Sequence, residues 1–254
     1  MKLDGKNVLI TGGAERVGRL LSYELAKEGA NLIINYFKCQ KAARKLKDNI
    51  EKLGRKCLIV EADISDLTQV NKMFEKIERT FEKIDVLVNN ASNFNKISFF
   101  EIDEQAWNYS IDVTLKGTFF VTQAAAKLMM KNNSGRIISI IGNSYYENWP
   151  DFMPHCIAKT GLGKMTQCLA IALSPKIQCN AICPCAFFDE KGTNTKIITS
   201  NRNEKIEGNI NIVNNKKLYK GCALDVAELI IFLCNCSNYI NGAIIPIDGG
   251  KRLA

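Results

Sequence analysis

The sequence predicts a doubly wound α/β protein with a seven-stranded parallel sheet, formed as a single domain over residues 1–254. Of the 254 residues, 46% are apolar and 24% charged, which is enough for one full-sized core beneath a charged surface. Short runs of branched apolar residues alternate with longer stretches of helical periodicity. Because the short runs are apolar on both faces, we expect parallel strands with helices covering both sides of the sheet.

The predicted strands are the runs richest in branched apolar residues. They are Asn7–Ile10, Asn31–Asn35, Cys57–Val60, Asp85–Val88, Arg136–Ile141, Gln178–Ile182 and Ala243–Ile247. Between the third and fourth runs, Leu67–Phe81 carries apolar residues at spacings of three and four, which indicates the core-facing side of a helix. Ligands of such sheets bind at the carboxyl ends of the strands, so the residues that follow each strand are the candidates for function.

Composition argues against membrane, secreted and metal-binding proteins. No apolar run reaches the roughly 20 residues of a membrane span, and the first residues lack a signal-peptide pattern, so we expect a cytoplasmic protein without a membrane partner. The ten cysteines show no C-x-x-C spacing, which favours reduced thiols. Two Cys-x-Cys pairs, Cys183/Cys185 and Cys234/Cys236, could be metal ligands. Neither is accompanied by a further pair of ligands at zinc-finger spacing, so no metal site is predicted.

The net charge of +8 raises the possibility of a nucleic-acid partner. The densest group of basic residues, within residues 41–56, alternates with apolar residues at helical spacing. This is the pattern of the solvated side of an amphipathic helix. The sequence therefore predicts no nucleic-acid binding and points to a small-molecule partner.

One stretch departs from the alternation of strands and helices. Residues Phe187–Lys220 are rich in Asn and Lys and contain few apolar side chains. Long segments of this kind inside a compact domain often cover a binding site. We interpret residues 187–220 as a mobile substrate lid within the single domain.

A glycine-rich turn follows the first predicted strand and opens a helix. Gly12, Arg16, Val17 and Gly18 belong to this turn. Such a turn lets the backbone approach a pyrophosphate, whose charge is stabilised by the free amides at the helix start. The same glycines also fit a tight strand–helix connection without a ligand, so the motif alone leaves both readings open.

The residues after the second strand indicate which dinucleotide fits. An NAD site usually has a carboxylate here that accepts a hydrogen bond from the ribose 2′-hydroxyl, and residues 35–39 contain none. Tyr36 and Lys38 follow the strand. Lys38 and Arg16 offer two cationic partners to a 2′-phosphate. The pattern favours NADP(H) over NAD(H).

The motifs of the chain resemble those of one enzyme family from end to end. They are Thr11-Gly12…Gly18, Ala62-Asp63-Ile64, Asn89-Asn90-Ala91, Lys159 four residues after His155, Asn180-Ala181-Ile182-Cys183-Pro184 and Asp248-Gly249-Gly250. In this order they are similar to the short-chain dehydrogenases/reductases, and Arg16, Tyr36–Lys38 and Asn89–Phe94 look most like pteridine reductases. The resemblance implies a Rossmann fold, bound NADP(H), and hydride transfer to a carbonyl or imine.

The resemblance also implies which residues contact the cofactor. They include the glycine turn, with Val17, and Lys38. The others are Tyr36, Asp63, Ile64, Asn89, Ala91, Ser92, Lys159 and Pro184. Within this set, Asp63 and Ile64 are expected at the adenine and Lys159 at the nicotinamide ribose. Family members commonly pair through two long helices, here Glu104–Lys131 and Met153–Leu173, which implies a homodimer or homotetramer.

Around the expected substrate, the chain departs from the family pattern. The catalytic tyrosine, four residues before Lys159, is replaced by His155; the serine or aspartate thirteen residues earlier by Gly142; and the helix asparagine by Thr114. His155 is either a substitute acid, which would have to act as an imidazolium, or a residue without a catalytic role. Lys159 alone retains the family identity at the catalytic positions.

Three further residues are predicted to contact substrate. Ser144 and Tyr145 follow the fifth strand and are expected to line the same pocket, where other donors could replace the missing tyrosine. Phe94 either covers a planar substrate ring or packs as a loop aromatic on the core. The sequence thus predicts an NADP(H)-dependent oxidoreductase for a small planar, pterin-like carbonyl or imine compound. The alternative is a catalytically weakened NADP-binding pseudoenzyme that acts as a sensor or assembly partner.

Overall fold

The computed structural model describes residues 2–185, 210–214, 216–219, 221 and 223–254. The strands are β1 Asn7–Ile10, β2 Asn31–Tyr36, β3 Cys57–Glu61, β4 Val86–Asn89, β5 Gly135–Ile140, β6 Ile177–Pro184, β7 Ile210–Val213, β8 Lys216–Tyr219 and β9 Ile244–Ile247. Seven of them form one parallel sheet in the order β3-β2-β1-β4-β5-β6-β9. The predicted doubly wound fold with a seven-stranded parallel sheet is confirmed.

Helices connect the strands and cover both faces of the sheet. They are α1 Arg16–Lys27, α2 Gln40–Glu51, α3 Leu67–Phe81, α4 Glu104–Ile111, α5 Thr118–Met130, α6 Met153–Ala172 and α7 Ala223–Asn235. Successive residues of β1 point to opposite faces: Val8 packs with α1, α2 and α7, and Leu9 with α3 and α5. This two-sided burial explains why the strands are apolar throughout.

The predicted elements match the observed ones closely, with differences at their ends. Helix α3 has the predicted bounds, and it begins after Asp66, whose side chain accepts hydrogen bonds from the amides of Thr68 and Gln69. Strand β6 is longer than predicted and continues through Pro184. The predicted helix 104–131 is two helices, joined by a π-helical turn at Asp112–Gly117. Such turns occur frequently at functional sites.

The predicted lid falls largely outside the described residues. Positions 187–209, 215 and 220 are not described. Within the same segment, β7 and β8 pair as an antiparallel hairpin, so this part of the segment has regular structure that the sequence pattern did not predict.

The described residues also bear on the membrane and cysteine predictions. None of their helices combines the length and the apolar character required to cross a bilayer. Cysteines 39, 57, 156, 168, 179, 183, 185, 234 and 236 are free thiols, in agreement with the prediction for these positions. Within the same residues, no group of three or more His, Cys, Asp or Glu side chains is arranged to hold a metal ion.

Candidate active site

The glycine turn after β1 is tied to the end of β4 by hydrogen bonds. The side-chain amide of Asn90 donates to the carbonyls of Thr11 (2.9 Å) and Gly12 (3.0 Å). In return, Thr11 Oγ1 accepts from the backbone amides of Asn90 and Ala91, both at 3.0 Å. The prediction named Ala91 and Gly12 but neither Thr11 nor Asn90 as site residues. Their signal was available in the sequence, because polar residues that follow neighbouring parallel strands lie at one edge of the sheet.

Only glycine fits at position 18 of this turn. A Cβ atom there would lie 2.2 Å from the Gly12 carbonyl oxygen and 2.7 Å from Asn90 Nδ2. The backbone of α1 therefore begins in direct contact with the turn, with Arg16 as its first residue and Val17 packed against the core. Amides at the start of a helix are a ready site for an anionic group. The geometry fits the predicted pyrophosphate cradle.

Strand β2 supports the same turn from the other side. Asn35 is buried; its Oδ1 accepts from the amide of Gly12 at 3.3 Å, and its Nδ2 donates to the carbonyl of Ala62 at 2.9 Å. Beyond Ala62, Asp63 Oδ1 accepts from the amide and hydroxyl of Ser65, while the side chain of Ile64 is buried in the core. Asn35 is a further structural residue of the cradle that the prediction did not identify.

The predicted 2′-phosphate site has a carboxylate beside it. Lys38 is exposed, with its Nζ 4.8 Å from the centre of the Phe37 ring, and its backbone amide donates to Glu61 Oε1 at 3.3 Å. Glu61 is the partner of Tyr36 in the register of β2 and β3. The sequence has no carboxylate directly after β2, and the tertiary structure supplies one from the neighbouring strand.

The end of β4 places its polar residues in two different environments. Asn89 is buried, and its Nδ2 donates to Thr122 Oγ1 (2.9 Å) and Ser139 Oγ (3.3 Å), which ties β4 to α5 and β5. Ser92 instead shares a 3.4 Å hydrogen bond with Thr114 Oγ1. The side-chain nitrogen of Asn89 is thus engaged in the interior, whereas its Oδ1 is buried without a hydrogen-bond partner. Ser92 belongs to the loop that leads to the predicted catalytic positions.

His155 is held by the backbone of that loop. Its Nδ1 lies 2.8 Å from the carbonyl oxygen of Asn93, and the side chain is buried. Because a carbonyl only accepts, Nδ1 carries the hydrogen and Nε2 of the neutral ring is left with a free electron pair. Burial, reinforced by the nearby Lys159 ammonium, lowers the pKa of His155 to about 4, although the hydrogen bond to Asn93 opposes the shift. The imidazolium acid considered from the sequence is therefore not the form present near neutral pH.

Thr114 bonds the backbone of the same residue, Asn93, that holds His155. It lies in the π-helical turn, is fully buried, and accepts at Oγ1 from the amide of Asn93 at 3.2 Å. The carbonyl of Asn93 in turn accepts from His155. At the position where the family resemblance expects a catalytic asparagine, this chain has a residue that orients the loop behind the imidazole.

Lys159 is buried at the carboxyl ends of β5 and β6. Its Nζ donates to the carbonyl of Ile140 at 2.8 Å. Burial lowers the pKa of Lys159 to about 8, an effect partly offset by the Cys183 thiol on β6. Pro184, also predicted at the cofactor, ends the same strand and is half-buried. At neutral pH the Lys159 amine holds a proton, whereas His155, one helical turn before it, is neutral.

Gly142 has a conformation that excludes the side chain expected there. Its φ is +77° and its ψ is 169°, a region that is essentially restricted to glycine. The space around it is open, since the nearest atoms to a Cβ at this position are Ser144 Oγ and the Pro184 carbonyl oxygen, both at 3.9 Å. A serine or aspartate at position 142 is therefore incompatible with this loop because of the backbone, not because of crowding.

Ser144 and Tyr145 have different environments despite their adjacent positions. Ser144 Oγ is buried and without a hydrogen-bond partner. The Tyr145 ring packs on α6, where its Cε2 lies 2.4 Å from the position of a Cβ on Gly163, and it joins a small apolar cluster with Leu162 and Cys183. Ser144 thus keeps an unpaired hydroxyl beside Gly142, and Tyr145 packs on α6; the substrate contacts of both residues stay predictions.

Aromatic rings form a wall beside His155. Phe94 is 51% exposed, stacks on Phe152 with ring centres 4.4 Å apart, and meets the His155 ring edge-on at 4.9 Å. The indole of Trp149 lies parallel to the His155 ring at 6.5 Å. Phe94 therefore lies beside His155 and is half exposed, its contact with a substrate stays a prediction, and Trp149 and Phe152 extend the wall beyond the residues the prediction named.

The chain is similar to known proteins over nearly its whole length. A family model described as short chain dehydrogenase matches residues 6–204. The 3-oxoacyl-(acyl-carrier-protein) reductase FabG of Aquifex aeolicus is 30% identical over 252 residues, which cover 98% of each chain. The oxidoreductase UcpA of Salmonella typhimurium is 30% identical over 258 residues, covering 99% of this chain and 96% of UcpA.

Solved structures agree with the sequence comparisons. The crystal structure of acetoin dehydrogenase from Enterobacter cloacae superposes with a TM-score of 0.84 at 26% identity, covering 98% of this chain and 97% of that one. The match includes the sheet whose carboxyl edge holds the glycine turn and Lys159. The chain therefore belongs to the short-chain dehydrogenase family, whose members are oxidoreductases with a nicotinamide cofactor.

Proposed function

We propose that this protein is an NADP(H)-dependent oxidoreductase that acts on a small planar carbonyl or imine compound, such as a pterin. The observation that carries the proposal is that the glycine turn and the buried amine of Lys159 lie at the same carboxyl edge of one sheet. A site of this kind brings a dinucleotide and a proton-holding side chain together. When bound, the nicotinamide supplies or accepts the hydride.

The glycine turn and the residues around Lys38 fit the dinucleotide. The absence of room for a Cβ at Gly18 matches a cradle in which the backbone approaches a phosphate. Lys38 and Arg16 would bind a 2′-phosphate by charge-assisted hydrogen bonds, and Glu61 would weaken this attraction by like-charge repulsion. The preference for NADP(H) is therefore expected because the attraction of the 2′-phosphate to two cations exceeds its repulsion by one carboxylate.

The proton chemistry follows from the charges of Lys159 and His155. In the reductive direction the substrate heteroatom gains a proton, and Lys159, with its pKa lowered to about 8, holds one at neutral pH. In the oxidative direction the same proton returns to the neutral amine of Lys159, because the forward and reverse transfers share one transition state. The free electron pair of His155 Nε2 can accept a hydrogen bond from an N–H or O–H group of the substrate. Lys159 is thus the proposed acid, its neutral amine the proposed base, and His155 a proposed hydrogen-bond acceptor.

The aromatic wall supports a planar substrate. Phe94 presents about half of its surface beside His155, and Trp149 and Phe152 are in ring contact with it. Aromatic rings bind flat ligands by stacking. The pterin-like subclass rests in addition on the resemblance of the loop Asn89–Phe94 to pteridine reductases.

The family membership also supports an oligomer and a cytoplasmic location as proposals. Phe119 and Met130 of α5 and Ile171 of α6 are exposed, and α5 and α6 border an apolar groove of about 470 Å³. A homodimer or homotetramer joined through these helices would bury these side chains. Light scattering on the purified protein measures the oligomer directly.

Two measurements test the proposed function. Titration of Trp fluorescence with NADPH and NADH is expected to show tighter binding of NADPH. Oxidation of NADPH with a panel of quinonoid dihydropterins, quinones and ketones is expected to be fastest with planar acceptors, and its rate should fall as the pH rises through about 8, where Lys159 loses its proton. Binding of NADPH without turnover of any acceptor would favour the pseudoenzyme instead.

A further inference from the structure

Two buried polar atoms of adjacent residues lack hydrogen-bond partners. Asn143 Oδ1 and Ser144 Oγ are both fully buried within residues that are 1% and 3% exposed, and neither has a partner. Buried polar groups in folded proteins are nearly always paired, and an unpaired one costs free energy. A pair of them at the edge of a candidate active site therefore points to a ligand that completes their hydrogen bonds.

The orientation of the Asn143 carboxamide is determined by Glu147. Asn143 Nδ2 donates to Glu147 Oε1 at 3.1 Å, and the same carboxylate accepts from Trp149 Nε1 at 2.9 Å and from Lys251 Nζ at 3.2 Å. Burial would raise the pKa of Glu147, but these three donors together hold it below its usual value, so the group is ionised and can only accept. A flipped carboxamide would place its oxygen against this carboxylate. The unpaired atom of Asn143 is therefore an acceptor.

The two atoms adjoin the catalytic positions. Both residues follow Gly142 in the short turn after β5, and Ser144 Oγ lies 3.9 Å from the position of a Cβ on Gly142. Glu147, which orients Asn143, also holds the indole of Trp149, which is parallel to the His155 ring. The carboxamide and the hydroxyl thus adjoin Gly142, one of the predicted catalytic positions, and Glu147 connects the carboxamide to the aromatic wall beside His155.

We propose that Asn143 Oδ1 and Ser144 Oγ bind an amide group, accepting its N–H at Asn143 and donating the Ser144 hydroxyl to its carbonyl oxygen. An amide is the common group that presents a donor beside an acceptor, and it would satisfy both unpaired atoms at once. The inference rests on the proposed function, because it places the amide in the reductase cleft. The amide belongs either to the nicotinamide ring of the cofactor or to a cyclic amide edge of the substrate.

The cofactor source is tested with an analogue that lacks the N–H. The 3-acetylpyridine analogue of NADP has a methyl ketone in place of the carboxamide, and it keeps the carbonyl. If the nicotinamide is the ligand, the natural protein should bind NADP at least about tenfold more tightly than the analogue. Asn143→Ala should then lower the affinity for NADP to that for the analogue, and it should leave the affinity for the analogue unchanged.

The substrate source is tested with a planar cyclic amide, in the presence and in the absence of NADP. Quinazolin-4(3H)-one carries the N–H beside the carbonyl, and its N3-methyl derivative does not. If the substrate is the ligand, the natural protein should prefer the first by at least about tenfold, and Asn143→Ala should remove the preference. Ser144→Ala, which leaves every Glu147 contact in place, should weaken whichever amide is bound by a similar factor.

The stability of the unliganded protein provides a separate readout. Ser144→Ala removes an unpaired hydroxyl and should leave the melting temperature unchanged or higher. The matched control is Thr166→Val, which removes a buried hydroxyl that donates to the Leu162 carbonyl at 2.9 Å and should lower it. A fall for Ser144→Ala as large as the control's would contradict the inference.

The outcomes separate this inference from the proposed function. If NADPH binds normally and neither pair of ligands is discriminated through Asn143, the amide site is wrong and the oxidoreductase proposal stands. If NADPH fails to bind, the proposed function is wrong, and the cyclic amides titrated without cofactor still decide the amide site: discrimination that Asn143→Ala removes supports it, and equal binding overturns it.

Discussion

The glycine turn after β1 is the predicted cofactor end of the cleft, and the turn after β5 is its predicted catalytic end. The two ends differ in how completely their polar side chains are paired. At the glycine turn, the side chains of Thr11, Asn35 and Asn90 form hydrogen bonds with the backbone at the ends of neighbouring strands. In the turn after β5, Asn143 and Ser144 keep buried atoms without partners, and Gly142 has a backbone that excludes other residues. The three side chains at the glycine turn are paired without a ligand, whereas Asn143 Oδ1 and Ser144 Oγ would be paired only by the proposed amide. Family motifs persist in the region whose geometry is constrained by its own hydrogen bonds.

The largest expected effect tests the rigidity of the cofactor end. Gly18→Ala would place a methyl group 2.2 Å from the Gly12 carbonyl. Overpacking of this kind costs about 1–3 kcal/mol, so NADPH binding should weaken by up to about a hundredfold. The measurement is a fluorescence titration. Gly54→Ala is the control, since it has a positive φ but no atom within 4 Å of its Cβ position, and it should leave the affinity unchanged.

The second effect tests the charge state of the catalytic end. An ordinary histidine has a pKa of 6.5, and burial lowers the pKa of His155 to about 4 in the folded protein. The unfolded chain therefore takes up its proton at a higher pH than the folded protein, and stability should decrease as the pH falls from 6.5 to 4. At about 1.4 kcal/mol per pKa unit, the loss approaches about 3 kcal/mol.

Urea unfolding across this range measures the loss, and His155→Gln should flatten the dependence. Because His155 is the chain's single histidine, its imidazole proton signal in an NMR titration reports the pKa without ambiguity. A midpoint near the ordinary value of 6.5 in the folded protein would show that the imidazole is not desolvated as described and would restore the imidazolium acid.

A third, smaller effect concerns the 2′-phosphate. Lys38→Ala should weaken NADPH binding by about tenfold or more and leave NADH binding nearly unchanged, because one charge-assisted hydrogen bond is worth about 1.5–3 kcal/mol. Glu61→Gln should act in the opposite direction, since it removes the carboxylate beside Lys38. Titrations of both cofactors with both variants decide the point, and equal affinity for NADPH and NADH in the natural protein would refute the preference.

The smallest expected effect concerns the position of the missing catalytic serine. Gly142→Ser should destabilise the protein by about 1–2 kcal/mol through its backbone conformation and should not raise the rate of NADPH oxidation. The comparison is with Ser144→Ala, which leaves the backbone unstrained and should weaken amide binding. A clear gain in rate from Gly142→Ser would show that the loop can adopt the family conformation.

Much of the fold, including the glycine turn, was predictable because the sequence patterns that indicate it are local. The glycine turn, the helix over Leu67–Phe81 and the seven apolar runs each follow from periodicity or from residue types that permit one backbone arrangement. The strand ends shifted by one or two residues, as for β6, because hydrogen bonding to neighbouring strands decides where a strand stops.

The residues missed at the site share a different cause. Glu61 reaches Lys38 from the adjacent strand, and Asn90 reaches the glycine turn from the end of β4. The packing of the Tyr145 ring on Gly163 likewise depends on the helix beneath the short turn. Positions far apart along the chain carry no mutual signal in a single sequence.

The sequence alone thus determined the fold class, and it predicted the dinucleotide-binding edge and the departures from the family pattern at three positions, because these depend on residue type and on spacing along the chain. The tertiary structure decided the protonation states and the hydrogen-bond pairing at the candidate site. It made His155 a neutral acceptor by burying it against the Asn93 carbonyl, it kept the Lys159 proton at a lowered pKa, and it left Asn143 and Ser144 unpaired. Protonation and hydrogen-bond pairing depend on burial and on partners from other elements, which exist only once the chain has folded.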